Sequence, residues 1–321
     1  MIKRQHQLLA GILVVQVVLS VVVFWPRPST AEESEPLFAD LEADAVRALT
    51  VADGEGNEVK LEKVAGEWVL PEADDYPAKT AEVASFVERL LALRTGRLVT
   101  RSAASHRQLR VAPDDFARRI SFETGDGETR TVYLGSAPQF GSVHFRVADQ
   151  SETYLTGELS THDTNATSSA WIDLGYQRVV QEDVQRFTLD NANGTFVFEK
   201  GDQDSWTLVD LGDDETLDQE QVRDALRRAS VITMKRPLGR EDRPGYGLDD
   251  PAAVVTLETD EKTVTLRVGA RDSEDASYVV KSSESAYYVS VAESGVRALV
   301  ETGREGFLEE PPAPGTELDG S

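Results

Sequence analysis

The chain has 321 residues, no cysteine, and 57 acidic against 33 basic side chains, for a net charge of −24. That length accommodates two domains with a core each, and the missing cysteines exclude disulfides and thiolate metal sites. The acidity argues against a nucleic-acid partner; because the acids are spread along the whole chain, a generally solvated acidic surface accounts for them.

At the start, Lys3 and Arg4 precede an apolar run from Leu8 to Phe24, with Trp25 at its end. The spacing predicts a cytoplasmic stub at 1–7 and a single transmembrane helix at 8–25, near the lower length limit for a span. The positive flank stays inside, so the bulk of the chain lies on the periplasmic side of a bacterial inner membrane. A cleaved signal peptide is the rival, because Ser29-Thr30-Ala31 has small residues at the spacing of a cleavage site. Either way the rest is exported. Residues 26–36, rich in Pro, Ser and Glu, read as a linker.

The next region alternates. Val46, Leu49 and Val51 mark one strand and Val59 and Leu61 a second, with Asp53-Gly54-Glu55-Gly56-Asn57 as the hairpin turn. Trp68-Val69-Leu70 is a short third strand. Val83, Phe86, Val87, Leu90, Leu91 and Leu93 then fall at helical spacing after Tyr76-Pro77. Strands at 120–123, 130–134, 143–147 and 153–156 follow, with a short helix expected after Gly157. A second series starts with 184–189 and 196–198 around Asn193-Gly194. Trp206 comes next, then a helix carrying Val222, Leu226 and Ala229 behind an Asp218/Gln221 capping box. Strands at 253–258, 263–268, 277–281 and 286–290 precede a helix near 292–302, and the Pro-rich tail 309–321 reads as disordered.

The two series match at an offset of about 138 residues. Leu61-Glu62-Lys63 answers to Phe198-Glu199-Lys200, Trp68 to Trp206, Val87 to Leu226, Leu134-Gly135 to Val268-Gly269, and Tyr154-Leu155 to Tyr288-Val289. His144 falls beside Tyr278 in this alignment. The expected fold is therefore α+β, with two tandem similar units of mainly antiparallel sheet, 37–172 and 173–308, each with one main helix. The absence of βαβ alternation disfavours a doubly wound nucleotide-binding sheet.

Leu37-Phe38-Ala39-Asp40-Leu41, a hairpin ending in Leu-Glu-Lys and a Trp, Tyr76-Pro77-Ala78 entering a helix, and above all Tyr246-Gly247-Leu248-Asp249-Asp250-Pro251 before a strand pair ending Val268-Gly269 form a combination. Over roughly residues 37–308 it resembles the bacterial family called domain of unknown function 4340. The resemblance implies an auxiliary component of a gliding-motility-type ABC transport system, with permease and ATPase subunits as partners. It carries no catalytic or ligand residues. The first unit departs from it, with Leu109-Arg110-Val111-Ala112-Pro113 where the second has the Tyr-Gly-Leu-Asp-Asp-Pro turn, so a role tied to that turn belongs to the second unit.

Chemistry-bearing motifs are sparse. His6, His106, His144 and His162 show no paired spacing, and His162-Asp163 lacks a third metal ligand nearby. No nucleophile elbow, P-loop or dinucleotide fingerprint occurs. Asp190-Asn191-Ala192-Asn193-Gly194 lacks the spacing of a calcium loop, and Asp210, Asp213, Asp214 and Glu215 sit where carboxylates favour a helix N-terminus. Trp68, Trp206 and Tyr246 are the candidate interaction or packing residues, and Trp171 stands at the junction of the units. No catalytic residue, metal ligand or cofactor is assigned. The expected function is a noncatalytic, membrane-anchored accessory protein of an ABC-type transport system, acting through protein contacts. The alternatives are a cell-envelope module binding glycan or a cation and, behind it, a periplasmic enzyme with an unfamiliar site.

Overall fold

Alternating apolar positions build two antiparallel sheets, and each sheet buries one face under a helix. The computed structural model describes residue 16 and residues 34–309 except 203–204. The predicted stub, the span at 8–25 apart from residue 16, most of the linker and the tail after 309 lie outside the described residues. Among the described residues no helix is long and apolar enough to cross a membrane.

The first unit runs β1 (Val46–Asp53), β2 (Glu58–Val64), β3 (Glu67–Leu70), β4 (Tyr76–Pro77), α1 (Thr80–Leu91), β5 (Leu98–Thr100), β6 (Val111–Ala112), β7 (Asp115–Phe116), β8 (Arg118–Thr124), β9 (Thr129–Leu134), β10 (Val143–Val147) and β11 (Thr153–Thr156). The second runs β12 (Gly175–Arg178), β13 (Val184–Asn191), β14 (Gly194–Lys200), β15 (Trp206–Leu208), α2 (Gln219–Ser230), β16 (Val231–Thr233), β17 (Arg236–Gly239), β18 (Ala253–Thr259), β19 (Thr263–Arg271), β20 (Ser277–Ser282), β21 (Tyr288–Ala292) and α3 (Glu293–Glu301). The sheet orders are β4-β3-β2-β1-β8-β9-β10-β11-β5 and β15-β14-β13-β18-β19-β20-β21-β17. Apart from the extra edge strand β4, the orders correspond strand for strand. In both units a short strand downstream of the long helix, β5 in the first and β17 in the second, crosses to the far edge and pairs with the last strand of the meander.

Local details repeat as well. Val46 and Leu49 are both buried although three residues apart, because a bulge lies between Val46 and Ala48 against β8. The same bulge separates Val184 from Arg186 against β18 and lets Val184 and Phe187 face inward together. Leu49 lies opposite Leu61, and Phe187 opposite Phe198, as the 138-residue match requires. Val83, Phe86, Val87 and Leu90 form the buried stripe of α1, and Val222, Ala225, Leu226 and Ala229 that of α2.

Several expectations need correction. Phe145 pairs with both Leu134 and Tyr154, and Val280 with both Val268 and Val289. With Leu134 matched to Val268, Tyr154 answers to Val289 rather than Tyr288, and His144 to Val279 rather than Tyr278. The sequence match slipped by one because the bend between β9 and β10 is one residue shorter than its counterpart. No α-helix follows Gly157. There the Thr156 hydroxyl takes the Glu158 N–H and the Ser160 hydroxyl the Asp163 N–H, which diverts the backbone into turns. Strands β5 and β17, and the pair β12–β16, were not anticipated; they have only three or four residues each, and β17 contains Pro237.

The Asp218 cap of α2 is present, its carboxylate accepting the N–H groups of Glu220 and Gln221 at 2.9 and 3.2 Å. The N–H of Asp218 itself donates to Phe307 O at 2.8 Å rather than to Gln221, so the cap also ties the C-terminal turn to the helix. Asp218→Ala is expected to cost about 1 kcal/mol in a denaturant titration. A change indistinguishable from zero would mean that water replaces the cap freely.

The units meet at the turn before β4. Asp74 and Asp75 both adopt left-handed backbone, φ 53° and 58°, which aspartate tolerates better than most residues. The Tyr287 hydroxyl donates to Asp75 O at 3.0 Å, and the Arg240 N–H donates to the Asp74 carboxylate at 2.6 Å. The rings of Tyr76 and Tyr287 meet edge to face at 4.7 Å. Trp171, at the junction of the units in sequence, packs its ring on Phe86 of α1 at 5.2 Å and donates its indole N–H to Asn165 O.

Candidate functional site

Trp68 and Trp206 occupy matching places where the third strand turns toward the helix. Each is almost wholly buried, at 2% and 4% exposure. The Trp68 N–H donates to the Thr80 hydroxyl at 3.1 Å, and the Trp206 N–H to Gln219 Oε1 at 2.8 Å. In both units the first residue of the long helix thus satisfies the backbone of the tryptophan beneath it. Rings held this way have no free face for a sugar to stack on.

The histidines do not converge. His106 reaches Ser151 O at 2.9 Å, and His144 Nδ1 lies 3.1 Å from the Ser136 hydroxyl; both are buried. His162 is exposed at a cleft of about 540 Å3 between α1 and the segment ending at Trp171. Its neighbour Asp163 is engaged by Arg89 at 3.2 Å and by the Ser160 hydroxyl at 2.8 Å. Among the described residues no group of three His, Asp or Glu side chains is placed to hold a metal ion.

The other motifs are also absorbed by structure. Asn191 and Asn193 of the β13–β14 turn donate their amides to the carbonyls of Leu299, Thr302 and Glu301, filling the open C-terminus of α3. Asp210 and Glu215 are neutralised by Arg304, whose guanidinium lies 3.0 Å from Asp210 Oδ2 and 2.6 Å from Glu215 Oε2. Their charge is therefore answered by a side chain 89 residues on from Glu215, not by the dipole of α2.

The Arg304 guanidinium, with the Gly212 N–H, holds the Glu215 carboxyl down from 4.5 to about 2. A carboxylate depressed on folding contributes its full stability above the unfolded value and loses it as pH falls toward the folded one. Wild-type protein should therefore lose thermal stability between about pH 4.5 and pH 2 more steeply than Glu215→Gln. Parallel pH profiles for the two would dismiss the ion pair as a contributor.

Tyr246 is the most exactingly built of the candidates. Its N–H donates to Arg243 O at 2.8 Å, its hydroxyl to Leu238 O at 3.2 Å, and its ring lies 5.3 Å from that of Tyr288. Gly247 follows in the left-handed region, φ 65°. Gly269 lets the turn close, since a Cβ there would sit 2.1 Å from Tyr246 O. The first unit makes the same turn from different residues. Arg110 takes the left-handed place at φ 57°, and a Cβ on Gly135 would lie 2.0 Å from Leu109 O. The departure noted in the sequence thus changes the side chains and keeps the backbone. Beside the Tyr246 turn lies a cavity of about 400 Å3, lined by Arg236, Leu238, Arg243, Tyr246, Arg271 and Asp272 among others. Nothing in the linear sequence marked these arginines, which come from three separate segments and meet only through the crossover of β17.

These features define an α+β protein of two antiparallel sheet bodies with corresponding strand order. The chain belongs to the family described as domain of unknown function (DUF4340), which matches it over residues 68–227 and 212–296. No curated protein and no solved structure matches it.

Proposed function

We propose that the chain is a noncatalytic, membrane-anchored accessory protein of an ABC-type transport system, held in a bacterial inner membrane by residues 8–25 with its folded part in the periplasm. The observation that carries this reading is the apolar run Leu8–Phe24 behind Lys3 and Arg4, ahead of a large acidic folded region. Family resemblance supports the transport partner, and the use of nearly every motif residue in packing or capping supports action through protein contacts. The buried Trp68 and Trp206 weigh against the glycan-binding alternative.

Co-purification from gently solubilised membranes should recover a permease and an ATPase with the chain; recovery alone under several detergents would sink the assignment. A reporter active only in the periplasm, fused after Ser321, should be active. The protein should also stay in the membrane fraction after a high-salt wash, since an apolar span is not held by screenable charge. A soluble mature protein beginning at Glu32 would replace the anchor with a signal peptide.

A further inference from the structure

We infer that the cavity beside the Tyr246 turn is a binding site for a small oxyanion ligand, phosphate or carboxylate in chemistry, carried on an apolar body. In a chain of net charge −24 about half of the described arginines form an ion pair with a nearby acid, as Arg130 does with Asp40, Arg228 with Asp224 and Arg304 with Glu215. This cavity brings three together. Arg236 and Arg243 make no ion pair among the described residues, and Arg271 shares only one nitrogen with Glu293, at 3.1 Å. A guanidinium has five N–H donors, so much of this donor capacity is unspent. The single carboxylate in the lining, Asp272, already accepts the Glu274 N–H at 2.8 Å.

Shape and rigidity point the same way. A positively charged concavity on a negative molecule concentrates field lines and attracts anions, and guanidinium forks match the oxygens of phosphate and carboxylate. Leu238 and the Tyr246 ring give the wall an apolar portion, and about 400 Å3 suits a metabolite-sized ligand. The Arg243 guanidinium sits over the Tyr246 ring, 6.0 Å from its centroid, which orients it without consuming its charge. The close approach at Gly269 fixes the Tyr246 wall before any ligand arrives. In the first unit Leu109 stands at the place of Tyr246, and Ala137, two residues after Gly135, at that of Arg271. The site is thus a property of the second unit, and it holds whether or not the chain joins a transporter.

Calorimetric titration of the full chain in detergent, at fixed ionic strength, tests this with pyrophosphate and citrate as probes of the phosphate and carboxylate classes. Saturable binding of at least one probe at millimolar concentration is expected. The double variant Arg236→Gln/Arg243→Gln should weaken it by about tenfold or more, the scale of losing charge-assisted hydrogen bonds. No saturable binding by either probe, or unchanged binding in a folded variant, overturns the site. Should the variant not fold, phenylglyoxal labelling of the unaltered protein decides. Slower modification of Arg236 and Arg243 with the probe present supports the site, and equal rates with and without it refute it.

Discussion

Replacing Trp206 with alanine is expected to lower the unfolding free energy by roughly 3–5 kcal/mol, the range for deleting a large aromatic from a packed core. The ring is 4% exposed, and its backbone is clamped on both sides by Gln219, whose Nε2 donates to Trp206 O while Oε1 receives the Trp206 N–H. Truncation therefore leaves a void that a helix pinned at its first residue is poorly able to fill. Trp68→Ala should behave alike, because Thr80 pins α1 over it in the same manner. Urea titration followed by circular dichroism gives the number. A loss below about 1 kcal/mol at either position would mean that the ring is not core.

Gly269→Ala is the second large effect. The added methyl would lie 2.1 Å from Tyr246 O and 2.9 Å from a Leu248 methyl, so the turn must move off the sheet. Overpacking of this kind costs about 1–3 kcal/mol and sometimes more. Gly135→Ala meets Leu109 O at 2.0 Å and should be equally severe in the first unit. Gly245→Ala is the control, since nothing lies within 4 Å of its new methyl; it should change stability by less than about 0.5 kcal/mol. Equal thermal shifts for Gly245→Ala and Gly269→Ala would refute the close approach. Loss of anion binding in Gly269→Ala with the fold retained would tie the turn to the arginine cavity.

Much of the fold was legible because each signal was local or periodic. The inward residues of β1 and β13, the stripes of α1 and α2, and the Asp218 cap all follow from spacing within a dozen residues. The tandem match was legible through Glu-Lys and Trp, which hold their register on either side of the β2–β3 and β14–β15 turns. What escaped depends on distance. Strands β5 and β17 are too short to show a period and exist only because the last strand of each meander offers an edge. The bulges at Arg47 and Gln185 were hidden inside apparent alternation. Of the candidate site, Tyr246 was visible through its turn, whereas Arg236 and Arg271 reach it from β17 and β19 and share no local pattern. Arg304 and the asparagines at the end of α3 show the same limit, since contacts across 89 or 108 residues leave no mark in the linear order.

Two sheets with the same strand order in one polypeptide create a hazard of their own, because a hairpin from one half has a ready template in the other. Tandem homologous units are prone to such intramolecular misassembly. Side-chain volume separates the halves. Where the first carries Leu49, Val59 and Leu61, the second carries Phe187, Phe196 and Phe198, completed by Phe307. A β13–β14 hairpin docked into the first sheet would bring three phenyl rings into space shaped for aliphatic groups, and the reverse exchange would leave voids. The first core has its own buried rings, Phe86, Phe122 and Phe145, at other places, so the placement of the rings rather than their number acts as an address label for the strands. Converting Phe187, Phe196 and Phe198 to the first half's Leu, Val and Leu should lower the yield of native protein after dilution from denaturant; an undiminished yield would show that chain connectivity alone keeps the halves apart.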